Sequence, residues 1–191
     1  MKKPLLFCLC LLLLPCASQA VTITFDDITT ASSGDIPGGY QGFIWEQYDP
    51  FADIVGGNVT VSTSNNATVS GAYSLGSTLG FQISRVDGMA FNVLDFMAAF
   101  ESTGLTSDLA ISGFKSGLVT QQLTTALFSS TATSIAVNFL DIDLLRIASP
   151  SIDVFSLDDL VVTAVPVPPA FWLFASGLLG LVRMAGKKKA A

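Results

Sequence analysis

The sequence predicts an all-β fold, an antiparallel β-sandwich of the jelly-roll kind spanning residues 21–164. Three observations carry that expectation. Apolar and polar residues alternate in short runs, the period of a half-buried strand. Breaks rich in glycine, serine and asparagine separate those runs at the spacing of sandwich turns. No stretch inside the region sustains the 3.6-residue apolar period of an amphipathic helix.

The elements follow in order. Val21-Thr22-Ile23-Thr24-Phe25 alternates from its first residue. Strands are then expected at Tyr40–Trp45, Asn58–Thr63, Leu79–Ile83 and Met89–Phe100. Further strands are expected at Leu105–Phe114, Leu118–Leu127, Ser134–Phe139, Asp141–Ile147 and Phe155–Ala164. Lys115-Ser116-Gly117-Leu118 has the residues of a tight hairpin turn. Gly34–Gly39 is the most loop-like stretch.

Both ends of the chain differ from this body. Residues 1–20 read as a secretory signal peptide: Lys2-Lys3, an apolar run over Leu5–Leu14, then Ser18-Gln19-Ala20 with small residues where a signal peptidase reads. A lipoprotein site at Cys16 fits badly, because Pro15 directly precedes it. Residues 165–191 begin with Pro166-Val167-Pro168-Pro169 and continue as a mainly apolar stretch, Ala170–Val182, before Arg183 and Lys187-Lys188-Lys189. Those 13 residues fall short of the roughly 20 that a bilayer core requires. The prolines keep the preceding segment extended and open to a protease, and the lysines favour the cytoplasmic side. A one-pass tail anchor and a processed signal both suit this tail.

The run Val165-Pro166-Val167-Pro168-Pro169-Ala170-Phe171-Trp172-Leu173-Phe174-Ala175-Ser176-Gly177-Leu178-Leu179-Gly180-Leu181 resembles the PEP-CTERM sorting signal. That signal joins a Pro-Glu-Pro-like motif, a short hydrophobic helix and a basic end. Here the motif is Pro166, Val167 and Pro168, with valine in the glutamate's place. The resemblance implies a C-terminal hydrophobic helix that enters the inner membrane transiently. It implies processing by an exosortase, a membrane cysteine protease of Gram-negative bacteria that make exopolysaccharide. The destination it implies is the cell surface or extracellular matrix, in the setting of a biofilm.

Removing the two ends changes the composition. All three cysteines lie in residues 1–20, so disulfides are excluded from the exported body. Between residues 21 and 165 three cations, Arg85, Lys115 and Arg146, face fifteen acids, a net charge of −12. Nucleic acid and anionic lipid are poor partners for such a surface. Calcium or neutral polysaccharide suits it better. A segment of this size makes one domain that buries about two-thirds of its unfolded surface without disulfides.

The absence of histidine removes Ser-His-Asp and Cys-His catalysis, and zinc sites built on histidine or cysteine. A glycosidase needs two carboxyls across a cleft, and nothing in the spacing pairs Glu46 or Glu101 with another acid. The expected protein is therefore not an enzyme. Phe25-Asp26-Asp27-Ile28 opens the domain, and Leu157-Asp158-Asp159-Leu160 closes it. Adjacent strand residues point to opposite faces, so one acid of each pair can reach a shared ion while the other faces solvent. A structural calcium between first and last strands would take its six to eight oxygens from Asp26, Asp27, Asp158 and Asp159. These two segments resemble the terminal strands of galactose-binding-like jelly rolls, some of which carry such a calcium. Turn and edge roles for the same aspartates remain open. Asp141-Ile142-Asp143 places two carboxylates on one strand face, with Asp153 near in sequence, and reads as a solvated face or a second cation site.

Among the aromatics, Phe43 and Trp45 alternate on one strand and so share a face, the core face. Tyr40, Tyr48 and the loop Asp49–Asp53 are the candidates for ligand contact. Asn58-Val59-Thr60 and Asn66-Ala67-Thr68 match a glycosylation triplet that carries little meaning in a bacterium. The sequence thus predicts an exported, non-enzymatic surface or matrix protein that associates with exopolysaccharide. The alternative is a carbohydrate-binding module with a structural calcium site.

Overall fold

The computed structural model describes residues 19–165, apart from 29–30, 64, 66, 78, 102–105, 129–130 and 151–153. Residues 1–18, where a signal peptide is expected, Asp153, Asn66 and residues 166–191, with Pro166, Val167, Pro168 and the expected hydrophobic helix, lie outside the described residues. Among the described residues no helix is long and apolar enough to cross a membrane.

The strands are β1 (Ala20–Ile23), β2 (Ser33–Asp35), β3 (Phe43–Asp49), β4 (Ile54–Val55), β5 (Thr60–Ser62), β6 (Ser74–Ser77) and β7 (Gly80–Arg85). There follow β8 (Phe91–Phe100), β9 (Thr106–Lys115), β10 (Leu118–Phe128), β11 (Thr133–Ile142), β12 (Leu144–Ala148) and β13 (Phe155–Ala164). They form two sheets. One runs β10-β9-β12-β7-β3-β4; the other runs β11-β8-β13-β6-β5-β2, with β1 also on β13. Every pairing is antiparallel. The expected two-sheet sandwich is the observed architecture.

The first and last strands do lie side by side. Ala20 pairs with Thr163 and Ile23 with Leu160, while β6 takes the other half of the same β13 edge through Leu157↔Leu75. Between the sheets the inward residues of each strand form the core. Phe43 meets Phe91 edge-on at 5.2 Å, and Phe81 stacks near Phe155 at 5.9 Å. Each pair joins a strand of one sheet to a strand of the other. Trp45 and Phe43 are buried together as their alternation predicted. On β9 the sheets approach so closely that a Cβ on Gly113 would sit 2.9 Å from both Ile142 and Phe139.

The β9–β10 hairpin turns on Ser116 and Gly117, at φ 52° and 78°. Both angles positive is the turn whose twist matches the flanking strands, and glycine supplies its second position without cost. Three strands escaped the sequence pattern. β2 (Ser-Gly-Asp), the two-residue β4 and β6 are too short or too polar to alternate visibly. Part of the stretch read as loop, Gly34–Gly39, thus belongs to β2. Tyr40–Gly42 forms a 3-10 turn, so the strand expected from Tyr40 begins at Phe43. The strand expected over Asp141–Ile147 is broken at Asp143.

Candidate functional site

Alternation puts Trp45 and Ile83 inside, and therefore turns Glu46 and Gln82 outward. The register then lines up four strands. Glu46 sits beside Gln82, Gln82 beside Arg146 and Arg146 beside Ser112, in one row across the outer face of the six-stranded sheet. Arg146 Nε donates to Gln82 Oε1 at 3.0 Å, and Gln82 Nε2 donates to Glu46 Oε2 at 2.9 Å. Two aromatic rings close on this row. The Arg146 guanidinium lies 4.4 Å from the Tyr48 ring centroid and 4.9 Å from that of Phe114. Each contact contributes about 0.5–1 kcal/mol at a surface site.

The guanidinium also meets Asp53, Nη1 to Oδ1 at 3.4 Å. Asp53 stands at φ 51°, after a turn that Asp49 ties by accepting the N–H groups of Phe51 and Ala52 at 2.8 and 3.2 Å. Beside Tyr48 an open groove of about 210 Å³ passes Asp49, Ile54 and Gly80. The face thus combines aromatic rings, a fixed cation and amide and carboxylate acceptors. Rings of this kind accept the C–H face of a sugar, and the polar row offers both donors and acceptors to hydroxyls.

Of the four predicted calcium ligands, Asp26, Asp158 and Asp159 engage one loop, Val69–Tyr73, while Asp27 is taken up by Tyr40. Asp158 is fully buried. Its Oδ2 accepts the N–H groups of Val69 and Ser70 at 2.8 and 3.1 Å, and its Oδ1 accepts that of Asp159 at 2.8 Å. Asp26 Oδ1 accepts the N–H groups of Ala72 and Tyr73 at 2.6 and 3.0 Å. Asp159 Oδ1 accepts the Ser70 hydroxyl at 2.6 Å, and Asp27 Oδ1 accepts the Tyr40 hydroxyl at 2.5 Å. These oxygens already serve donors, which is poor chemistry for a cation that needs their lone pairs. Among the described residues no group of three or more acidic, histidine or cysteine side chains is placed to hold a metal.

Asp158 and Asp159 also do not point to opposite faces. Asp159 stands at φ 49° in a bulge where the β13–β8 register shifts between Asp158 and Val161. The extra residue changes the inward set from Phe155 and Leu157 to Leu160 and Val162. Asp158 and Asp159 consequently reach the same Ser70 instead of opposite faces. Burial holds the Asp158 carboxyl above its ordinary value, against the lowering effect of the Val69, Asp159 and Ser70 N–H groups, and Asp159 adds a smaller upward push.

Tyr40 is engaged by its surroundings. It is half-buried against the core and stacks on Phe25 at 6.1 Å. Burial, then the hydrogen bond to Asp27, pushes its hydroxyl well above the ordinary tyrosine value. Tyr48 keeps its place at the surface. Asp141 and Asp143 do not share a strand face: Asp141 stands at φ 55°, and Asp143 lies between β11 and β12. Asp141 accepts from Lys115 Nζ at 2.9 Å and Asp143 from Ser116 N at 2.6 Å, so both secure the β9–β10 hairpin.

Arg146, Gln82 and Phe114 were not singled out in the sequence. Their only signal was an outward position in an alternating strand. Neither the register that aligns them nor the rings that flank Arg146 leaves a local trace.

No family model and no curated protein matches the chain. Several solved structures share its outline. The CBM22-1 xylan-binding domain of Paenibacillus barcinonensis Xyn10C is 14% identical over 79% of this chain and 97% of that chain, with a TM-score of 0.48. The family 29 carbohydrate-binding module CBM29_1 from Piromyces equi is 9% identical over 78% of this chain and 92% of that chain, at 0.45. A xylan-binding domain from CBM 22 is 14% identical over 80% of this chain and 97% of that chain, at 0.46. At these TM-scores the likeness is one of general outline, and the ligands of those proteins carry no weight for this chain.

Proposed function

We propose that this protein is an exported, non-enzymatic component of a polysaccharide-rich cell surface or matrix, and that its sandwich is a carbohydrate-binding module. One observation carries the binding reading: the Arg146 guanidinium held between Tyr48 and Phe114 in the hydrogen-bonded row Arg146–Gln82–Glu46. A row fixed in this way is preorganised, so little side-chain entropy is lost when a ligand arrives. The signal peptide and the PEP-CTERM-like tail support export, transient insertion in the inner membrane and processing by an exosortase. The absence of histidine, and of cysteine from the exported body, supports the non-enzymatic reading. In this proposal the sandwich is a jelly roll of the galactose-binding-like kind. Calcium has no part in the ligand site.

Retention on a panel of soluble neutral polysaccharides, followed by affinity electrophoresis, tests the reading. The wild-type chain is expected to be retarded by at least one polymer, and Arg146→Ala to weaken that binding by about tenfold or more. Equal retardation of Arg146→Ala would move the site elsewhere. No retardation of the wild type by any polymer would leave a structural component without a glycan ligand.

A further inference from the structure

The surroundings of Arg146 bear on which glycans this face admits. An exposed arginine flanked by aromatic rings ordinarily attracts carboxylates, which its planar fork binds in pairs. Here the geometry works against that. Tyr48 and Phe114 lie against the guanidinium at 4.4 and 4.9 Å from their centroids, leaving its edge for hydrogen bonding. On that edge Nε already serves Gln82, and Nη1 already faces Asp53. The Asp53 side chain is 77% exposed and 3.4 Å away, so the turn that ends at φ 51° places it there while close packing does not.

The charges around it point the same way. Asp53 faces the guanidinium, Glu46 ends the row and Asp49 lines the groove beside it, against the single guanidinium. The other two cations of residues 21–165 are engaged elsewhere, Arg85 with Asp87 and Lys115 with Asp141. We propose that Asp53 selects the chemical class of glycan that this face accepts: neutral, hydroxyl-bearing polymers are admitted and uronate-bearing polymers are turned away. This rests on the glycan-binding reading above. A uronate carboxylate would have to enter beside Asp53 and Glu46, with no second cation to offset the repulsion. A neutral diol meets a matched pair, since one hydroxyl accepts from the guanidinium and its neighbour donates to Asp53.

The test compares the full chain, purified in mild detergent, with Asp53→Asn and Asp35→Asn. Asp35 is an acid of the opposite sheet that accepts from Asn58 Nδ2 at 2.7 Å, so its variant removes the same net charge away from the row. Immobilised glucomannan and arabinoxylan serve as neutral probes, polygalacturonate and alginate as uronate probes. Wild type is expected to bind a neutral probe and to leave the uronates unbound. Asp53→Asn is expected to gain about fivefold or more in uronate affinity, the effect of removing one like charge about 4 Å from the incoming carboxylate in a water-like dielectric. Its neutral binding is expected to fall, because a diol loses its carboxylate acceptor, and the uronate gain to disappear in high salt. An unchanged uronate affinity in Asp53→Asn overturns the proposal, as does an equal gain in Asp35→Asn, which would be a net-charge effect. Absence of neutral binding by wild type and Asp53→Asn alike overturns the glycan reading itself.

Discussion

Three backbone N–H groups converge on the carboxylate of Asp158, which has no contact with solvent. Truncating it leaves those donors inside the protein without acceptors, at about 1–3 kcal/mol for each one that water cannot reach. Asp158→Ala is therefore expected to lose about 3 kcal/mol of stability, read from urea unfolding. The carboxyl also sets a pH signature. Its folded value lies above the ordinary 3.8, with burial as the main cause. A raised folded value means that the native state holds the proton more tightly than the unfolded chain. The associated stability is complete below 3.8 and is lost as pH rises through the folded value. Wild-type stability minus that of Asp158→Asn should thus fall as pH rises through the acid range, and a rise would contradict the assignment. In either protein the melting midpoint should be the same in calcium and in chelator, because these oxygens hold N–H groups.

At the scale of elements, close approach and bulges decide what alternation leaves open. β9 comes so near the opposite sheet that Gly113 has no room for a Cβ beside Phe139 and Ile142. Overfilling a packed interior costs about 1–3 kcal/mol, so Gly113→Val should lower the urea midpoint by the equivalent of about 2 kcal/mol. An unchanged midpoint would show that the two sheets separate there without cost. Bulges act differently, by shifting which residues face inward. On β11 the register with β8 slips between Ala136 and Phe139 and again between Phe139 and Ile142. Asn138 and Asp141 stand at φ 53° and 55° within those slips. Asp141 is turned toward Lys115 as a result, and the apparent Asp141/Asp143 pair is divided between two hairpin contacts.

At the scale of the whole molecule, fifteen acids against three cations between residues 21 and 165 give a surface suited to neutral partners. The proposed sorting is tested there too. Replacing Pro166 and Pro168 by alanine should keep the unprocessed chain in the membrane fraction, seen as a larger band on an immunoblot. Processing identical to wild type would remove the sorting role of the motif. The fold class, the core position of Phe43 and Trp45 and the Ser116-Gly117 turn were legible in the chain alone, because alternation and turn stereochemistry are local properties of the backbone. The chain also supplied the export and sorting expectations, which depend on linear order. The half-burial of Tyr40, the hold of Asp26, Asp158 and Asp159 on the loop from Val69 to Tyr73, and the place of Arg146 between Tyr48 and Phe114 emerged with the assembled sheets. Those outcomes depend on strand register and on single-residue bulges, and one inserted residue exchanges the two faces of a strand.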